Sequence, residues 1–131
     1  VFRPRPVSPV HGQRVACFST APAAQAPMFR RHLEEHHGCR VVAWSSNLSD
    51  RRALELDMRS PEVRAAEMYL TEIKAAAIDV VVEEADRRGV PVVFIDNEPR
   101  EAAPAREGAL ADTCRWLADL AKERFALNAR A

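Results

Sequence analysis

Residues 68–97 read MYLTEIKAAAIDVVVEEADRRGVPVVFIDN, and this stretch decides the fold. Met68-Tyr69-Leu70 is a short apolar run that leads into Thr71-Glu72. From Lys74 to Arg88, the residues Ile78, Val81, Val82 and Ala85 recur at helical spacing, with Glu83, Glu84, Asp86, Arg87 and Arg88 outside the stripe. The β-branched residues Ile78–Val82 would also suit a strand. Gly89, followed at once by Val90-Pro91-Val92-Val93-Phe94-Ile95, favours helix and then strand. Strands that read as continuous apolar runs and alternate with helices belong to a parallel sheet covered on both faces.

The same alternation extends in both directions. Val15-Ala16-Cys17-Phe18 reads as a buried strand ending in the turn Ser19-Thr20-Ala21-Pro22. Pro27 to His37 carries Phe29, Leu33 and His36 on one face and stops at Gly38, a helix with proline near its start and glycine past its end. Arg40 to Trp44 is the next strand, closed by Ser45-Ser46-Asn47. A helix from about Asp50 to Arg59 follows, with Ser49 as N-cap and Pro61 beyond its end. Asp96-Asn97-Glu98-Pro99 ends the fourth strand, residues 100–106 form a loop, and Leu110, Cys114, Leu117, Ala121 and Phe125 mark a last amphipathic helix. Residues 1–13, with Pro4, Pro6 and Pro9, read as a proline-rich linker. The expectation is an α/β fold: a small three-layer Rossmann-like domain over 14–131, with a four-stranded parallel sheet ordered 2-1-3-4.

Composition narrows the function. The 131 residues hold nineteen Lys+Arg against nineteen Asp+Glu, so the formal net charge is zero. Affinity for duplex nucleic acid or an anionic membrane rests on a basic surface, which this balance does not supply. Any anionic ligand is therefore held by a local cluster. Without an apolar run near membrane length or a signal-like start, the expected compartment is the cytoplasm. Cys17, Cys39 and Cys114 are odd in number and widely spaced, which points to reduced thiols. The chain opens on Val1, not Met, and is read as a piece of a longer polypeptide.

In an open α/β sheet, ligands bind beyond the carboxyl ends of the strands. That rule selects Thr20, Asn47 with Arg51, Thr71-Glu72 with Lys74, and Asp96-Asn97 as candidate phosphate- and substrate-binding residues. Lys74 and Lys122 are the only lysines. At a helix start, Lys74 would complete an anion site beside free backbone N–H groups, or else pair with Glu72 in solvent. Asp96 and Asn97 could orient a hydroxyl or Mg²⁺, or serve only as turn formers. Arg51 could hold an anion with its planar fork. His32, His36 and His37 sit near Cys39, but Leu33 follows His32 where the zincin order H-E-x-x-H needs Glu. The cluster reads as a solvated helix end, and no metal site or catalytic residue is assigned. Gly12, Gly38, Gly89 and Gly108 are too scattered for a dinucleotide fingerprint or a P-loop.

Five segments together resemble the C-terminal part of cyclic 2,3-diphosphoglycerate synthetases. They are the Phe18–Pro22 turn, His37-Gly38-Cys39-Arg40-Val41-Val42, Asn47-Leu48-Ser49-Asp50-Arg51, Tyr69 to Val81, and Val92 to Asn97. The resemblance implies an ATP-dependent ligase that forms an intramolecular phosphoanhydride in 2,3-diphosphoglycerate. It also implies ATP and Mg²⁺ as cofactors, a nucleotide site in a region this chain lacks or on a partner chain, and phosphate contacts from Lys74 and Arg51. A second reading is a non-catalytic Rossmann-like module for dimerisation or docking, with the stripe of the last helix as its interface.

Overall fold

A computed structural model describes residues 2–73, 75–100 and 106–128. It places β1 at Phe2–Pro6, β2 at Arg14–Phe18, α1 at Ala26–His37, β3 at Arg40–Ser45, α2 at Arg51–Asp57 and α3 at Pro61–Arg64. These are followed by β4 at Met68–Glu72, α4 at Ile78–Arg88, β5 at Val92–Pro99 and α5 at Ala109–Asn128. Residues 2–98 form one compact unit, and the described residues from Pro99 onward, which include α5, form another.

The sheet has five strands in the order β1-β5-β4-β2-β3. β2 pairs in parallel with both β3 and β4, and β4 pairs in parallel with β5, while β1 adds the one antiparallel pair at the β5 edge. The expected four-stranded, all-parallel Rossmann-like sheet is therefore incorrect. The fifth strand comes from the segment read as a linker. Pro4 and Pro6 rule out a helix there, but an edge strand tolerates residues without an N–H on its open side. Val7 N–H donates to Phe94 C=O at 2.9 Å and continues the attachment past β1.

Alternating residues of β2 and β4 feed two cores. Ala16, Phe18 and Tyr69 pack with Leu54, Met58, Val63, Val81 and Ala85 from α2, α3, α4 and the segment after α2. Val15, Cys17 and Leu70 pack on the opposite face with Leu33 of α1 and with Val93 and Ile95 of β5. Phe18 and Tyr69 meet edge to face, with ring centroids 5.3 Å apart. Full burial of such side chains contributes about 1.5–3 kcal/mol each.

Local chemistry sets the helix ends. Asp50, not Ser49, caps α2, accepting from Ala53 N–H at 3.1 Å. Ser60 caps the short α3, which places Pro61 at a first-turn position of a new helix. Gly38 ends α1 at φ +66°, and His11 packs so closely that a Cβ there would lie 2.2 Å from its Nδ1. α4 begins at Ile78, later than the spacing suggests, and its first turn carries Asp79. An acidic group there suits the positive end of the helix dipole.

Candidate functional site at the strand ends

The helices on either side of the sheet locate the crevice. α1 follows β2 and covers one face, whereas α4 follows β4 and covers the other. Neighbouring strands whose helices leave to opposite faces mark the switch point of an open α/β sheet. Here that point lies between the carboxyl ends of β2 and β4. Phe18 is in register with Thr71, so the turn after β2 and the last residue of β4 meet.

Glu72 organises this meeting. Ser19 Oγ–H donates to its Oε1 at 2.5 Å, while Thr20 donates to Oε2 through Oγ1–H at 2.7 Å and through its backbone N–H at 3.3 Å. Ser19 Oγ in turn accepts from Ala21 N–H at 2.9 Å. Ser19 is buried at 3% exposure and Glu72 is half-buried, whereas Thr20 faces solvent. Charge-assisted hydrogen bonds of this kind hold hydroxyl groups in one orientation. A ligand at the crevice would meet fixed hydroxyl oxygens backed by a carboxylate.

The end of β3 repeats the device. Ser45 Oγ–H and Asn47 Nδ2–H both donate to Asp57 Oδ2, at 2.6 and 2.9 Å, and Asn47 N–H donates to Ser45 Oγ at 3.2 Å. Backbone bonds join the two networks: Ser19 N–H to Ser45 C=O at 3.0 Å, and Leu48 N–H to Ser19 C=O at 3.3 Å. A cavity of about 230 Å³ opens beside Ser45 and Asp57, with Arg30, Trp44 and Ser60 in its wall.

Of the residues expected at the site, Thr20, Glu72 and Asn47 come together on this rim. Thr71 is fully buried beneath it, and its hydroxyl donates to Glu72 C=O at 3.4 Å, so it supports the rim from below. Arg51 opens α2 and is committed to Asp79, whose hydrogen bond and charge hold its guanidinium above the ordinary value and hold the Asp79 carboxyl below its own. Asp96 and Asn97 do not form a turn. β5 runs on to Pro99, and Asp96 pairs with Arg5 of β1 at 3.5 Å, one position past the level of Glu72. Lys74 lies outside the described residues.

Ser19, Ser45 and Asp57 were not singled out as site residues. Asp57 carried a readable signal: a carboxylate in the last position of a helix opposes the dipole and needs a compensating partner. The histidines lie elsewhere, at the end of α1, where His32 stands 4.6 Å from His36 and 5.6 Å from His37 between ring centroids. No group of three His, Cys, Asp or Glu among the described residues could hold a metal ion. Both strand-end carboxylates already accept from hydroxyl and N–H donors of the fold. That donor set does not fit a resident divalent cation, which wants several free oxygens.

Residues 6–98 match the family described as "Cyclic 2,3-diphosphoglycerate synthetase C-terminal domain". The chain belongs to that family. It is 49% identical over 110 residues to the cyclic 2,3-diphosphoglycerate synthetase of Rubrobacter xylanophilus, covering 84% of this chain and 24% of that protein. The synthetases of Methanothermus fervidus and Methanosphaera stadtmanae are 40% and 38% identical over 99 residues, each covering 76% of this chain and 21% of theirs. The chain thus spans about a quarter of the length of these relatives. The family match ends at residue 98, where the first compact unit also ends.

Proposed function

We propose that this domain supplies the phosphate-contacting rim of an ATP-dependent cyclic 2,3-diphosphoglycerate synthetase, which forms an intramolecular phosphoanhydride in 2,3-diphosphoglycerate. The observation that carries this reading is the Ser19/Thr20–Glu72 network at the switch point of a chain 49% identical to such a synthetase. Closing the anhydride brings two phosphoryl groups of one molecule together against their mutual repulsion. The reaction therefore needs fixed donors and positive charge at the crevice. In this reading Asn47 offers its second Nδ2–H to a phosphate oxygen, Thr20 does so when its Oγ1–H leaves Glu72, and Lys74, two residues beyond Glu72, supplies the point charge. Glu72 keeps the Ser19 hydroxyl and the Thr20 backbone N–H and does not itself meet the anion. Arg51 joins only when it exchanges Asp79 for a phosphoryl oxygen, and Asp96 and Asn97 flank the crevice on β5.

ATP and Mg²⁺ are assigned to the part of the relatives' polypeptide beyond the matched quarter, because Glu72 and Asp57 here already accept from hydroxyl and N–H donors of the fold. The cytoplasm is the proposed compartment; Cys17, Cys39 and Cys114 are free thiols, and no helix among the described residues is long and apolar enough to cross a membrane. The test is binding of 2,3-diphosphoglycerate to the 131-residue chain by isothermal calorimetry. Weak saturable binding that is lost in Lys74→Ala and reduced in Thr20→Val is the expected result. Equal affinity in the wild type and Lys74→Ala overturns the reading.

One observation favours a second reading, a dimerisation or docking module. α5 exposes Trp116 at 62% and Phe125 at 77%. Sizing chromatography would then show a dimer that Trp116→Ser and Phe125→Ser disrupt, with no ligand-induced shift in melting temperature.

A further inference from the structure

The groove between α2, α3 and α4 holds a cavity of about 330 Å³, floored by Met58 and Val80. Its two ends differ in charge. At the start of α2, Arg51 faces Asp79, Glu55 and Glu83. At the far end, Arg59, Arg64 and Arg87 line the same cavity, and the carboxylate among them, Glu84, pairs with Arg87. Neither Arg59 nor Arg64 has a carboxylate partner among the described residues.

The far end is also built to stay in place. The Arg88 guanidinium donates to Val63 C=O at 3.3 Å, to Arg64 C=O at 2.6 Å and to the Tyr69 hydroxyl. It ties the last turn of α3 to the last turn of α4 and satisfies carbonyls that would otherwise repel an anion. Arg64 and Arg87 therefore project from two backbones fixed to each other. α3 precedes β4 and α4 precedes β5, so this end lies at the amino edge of the sheet. A five-residue strand separates it from the Thr20–Glu72 rim, roughly 16 Å of sheet.

We propose that this end of the groove is a second anion site, separate from the strand-end rim, for a compact ligand with at least two phosphate groups. Two uncommitted guanidinium forks on one cavity suit bidentate capture of phosphate oxygens, which point-charge pairing would not need. The cavity lies at the small end of the range for small-molecule sites. A third fork becomes available when Arg87 exchanges Glu84 for the ligand. The Arg87 guanidinium is exposed while Glu84 is half-buried, so the exchange gives up that pair in return for the ligand.

Inorganic pyrophosphate, titrated into the 131-residue chain at constant ionic strength and followed by amide and arginine NMR, tests the site. Saturable shifts at residues 59, 64 and 87 are expected, with affinity at least tenfold weaker in the Arg59→Gln/Arg64→Gln double variant and a few-fold tighter in Glu84→Gln. Arg59→Lys/Arg64→Lys, which keeps the charge but not the forks, should fall between the wild type and the double Gln variant. Sodium chloride reproducing the shifts, binding confined to the Thr20–Glu72 rim, or unchanged affinity in the double variant would each overturn the proposal. A loss of phosphate binding at the rim alone leaves this site standing.

Discussion

The strand-end rim and the groove between α2 and α4 treat charge in opposite ways. On the rim, Glu72 and Asp57 are enclosed by hydroxyl and N–H donors, and every partner is part of the fold. In the groove, Arg59 and Arg64 face a cavity with no carboxylate partner among the described residues. A network whose partners all belong to the fold gives geometry at some cost in adaptability. Open guanidinium groups contribute little to folding and remain available to a ligand. Mutations of the rim carboxylates and buried serines should therefore appear mainly in stability, and mutations of the groove arginines mainly in binding.

The largest effect expected from this contrast is in Glu72→Ala and Asp57→Ala. Each strands a buried serine hydroxyl, Ser19 or Ser45, and should lower unfolding free energy by about 1.5–3 kcal/mol in urea denaturation. Glu72→Gln keeps a carbonyl acceptor and should lose roughly half as much. A loss in Glu72→Ala no larger than in an exposed-residue control would mean the rim is not a tied network. Next comes Ser19→Ala against Thr20→Val. Buried Ser19 should cost about 1–2 kcal/mol, and exposed Thr20 less than about 0.5 kcal/mol, so that Thr20→Val affects ligand binding more than melting.

A smaller effect lies outside both regions and serves as a control on pH. Burial and the neighbouring His36 depress the His37 pKa below its ordinary 6.5, against a hydrogen bond to the Pro4 backbone that raises it. The folded state then binds fewer protons than the unfolded chain. The contribution is fully present above about pH 6.5 and is lost as pH falls through the lower folded value. Thermal melts should show stability declining below pH 6.5, with a shallower decline in His37→Gln; an unchanged slope would remove His37 as the cause. The smallest effect belongs to Arg51→Gln. This exposed pair should leave the melting temperature unchanged at physiological salt, and a clear drop would place Arg51 with the rim in character.

The parts of the fold that were legible are those where one periodicity dominates. The apolar runs at 15–18, 41–44 and 92–95, and the glycine stops at Gly38 and Gly89, lie in or beside the observed strands and helix ends. β1 was not legible because proline reads locally as a breaker, whereas at a sheet edge it lacks a donor that no neighbour needs. Arg3 and Arg5 alternating with Pro4 and Pro6 are in fact suited to an edge that must not recruit further strands. The strand-end rule selects Thr20 and Glu72, which the structure brings together, because it depends on topology more than on motif. It reaches the turn that holds Ser19 but not Ser45 or Asp57, whose roles arise from tertiary hydrogen bonds 12 and 10 residues apart in sequence. The pairing of Asp96 with Arg5 was hidden for the same reason as β1: without the edge strand there is nothing to extend β5 to Pro99.

The central claim is that a phosphorylated three-carbon acid is received where β2 and β4 end. An NMR titration of the 131-residue chain with 2,3-diphosphoglycerate, read residue by residue, tests it most directly. The account predicts saturable shifts first at 19–21, 47 and 71–75, which vanish in Lys74→Ala while the fold persists. Shifts that are absent there, or that survive unchanged in that variant, would contradict it.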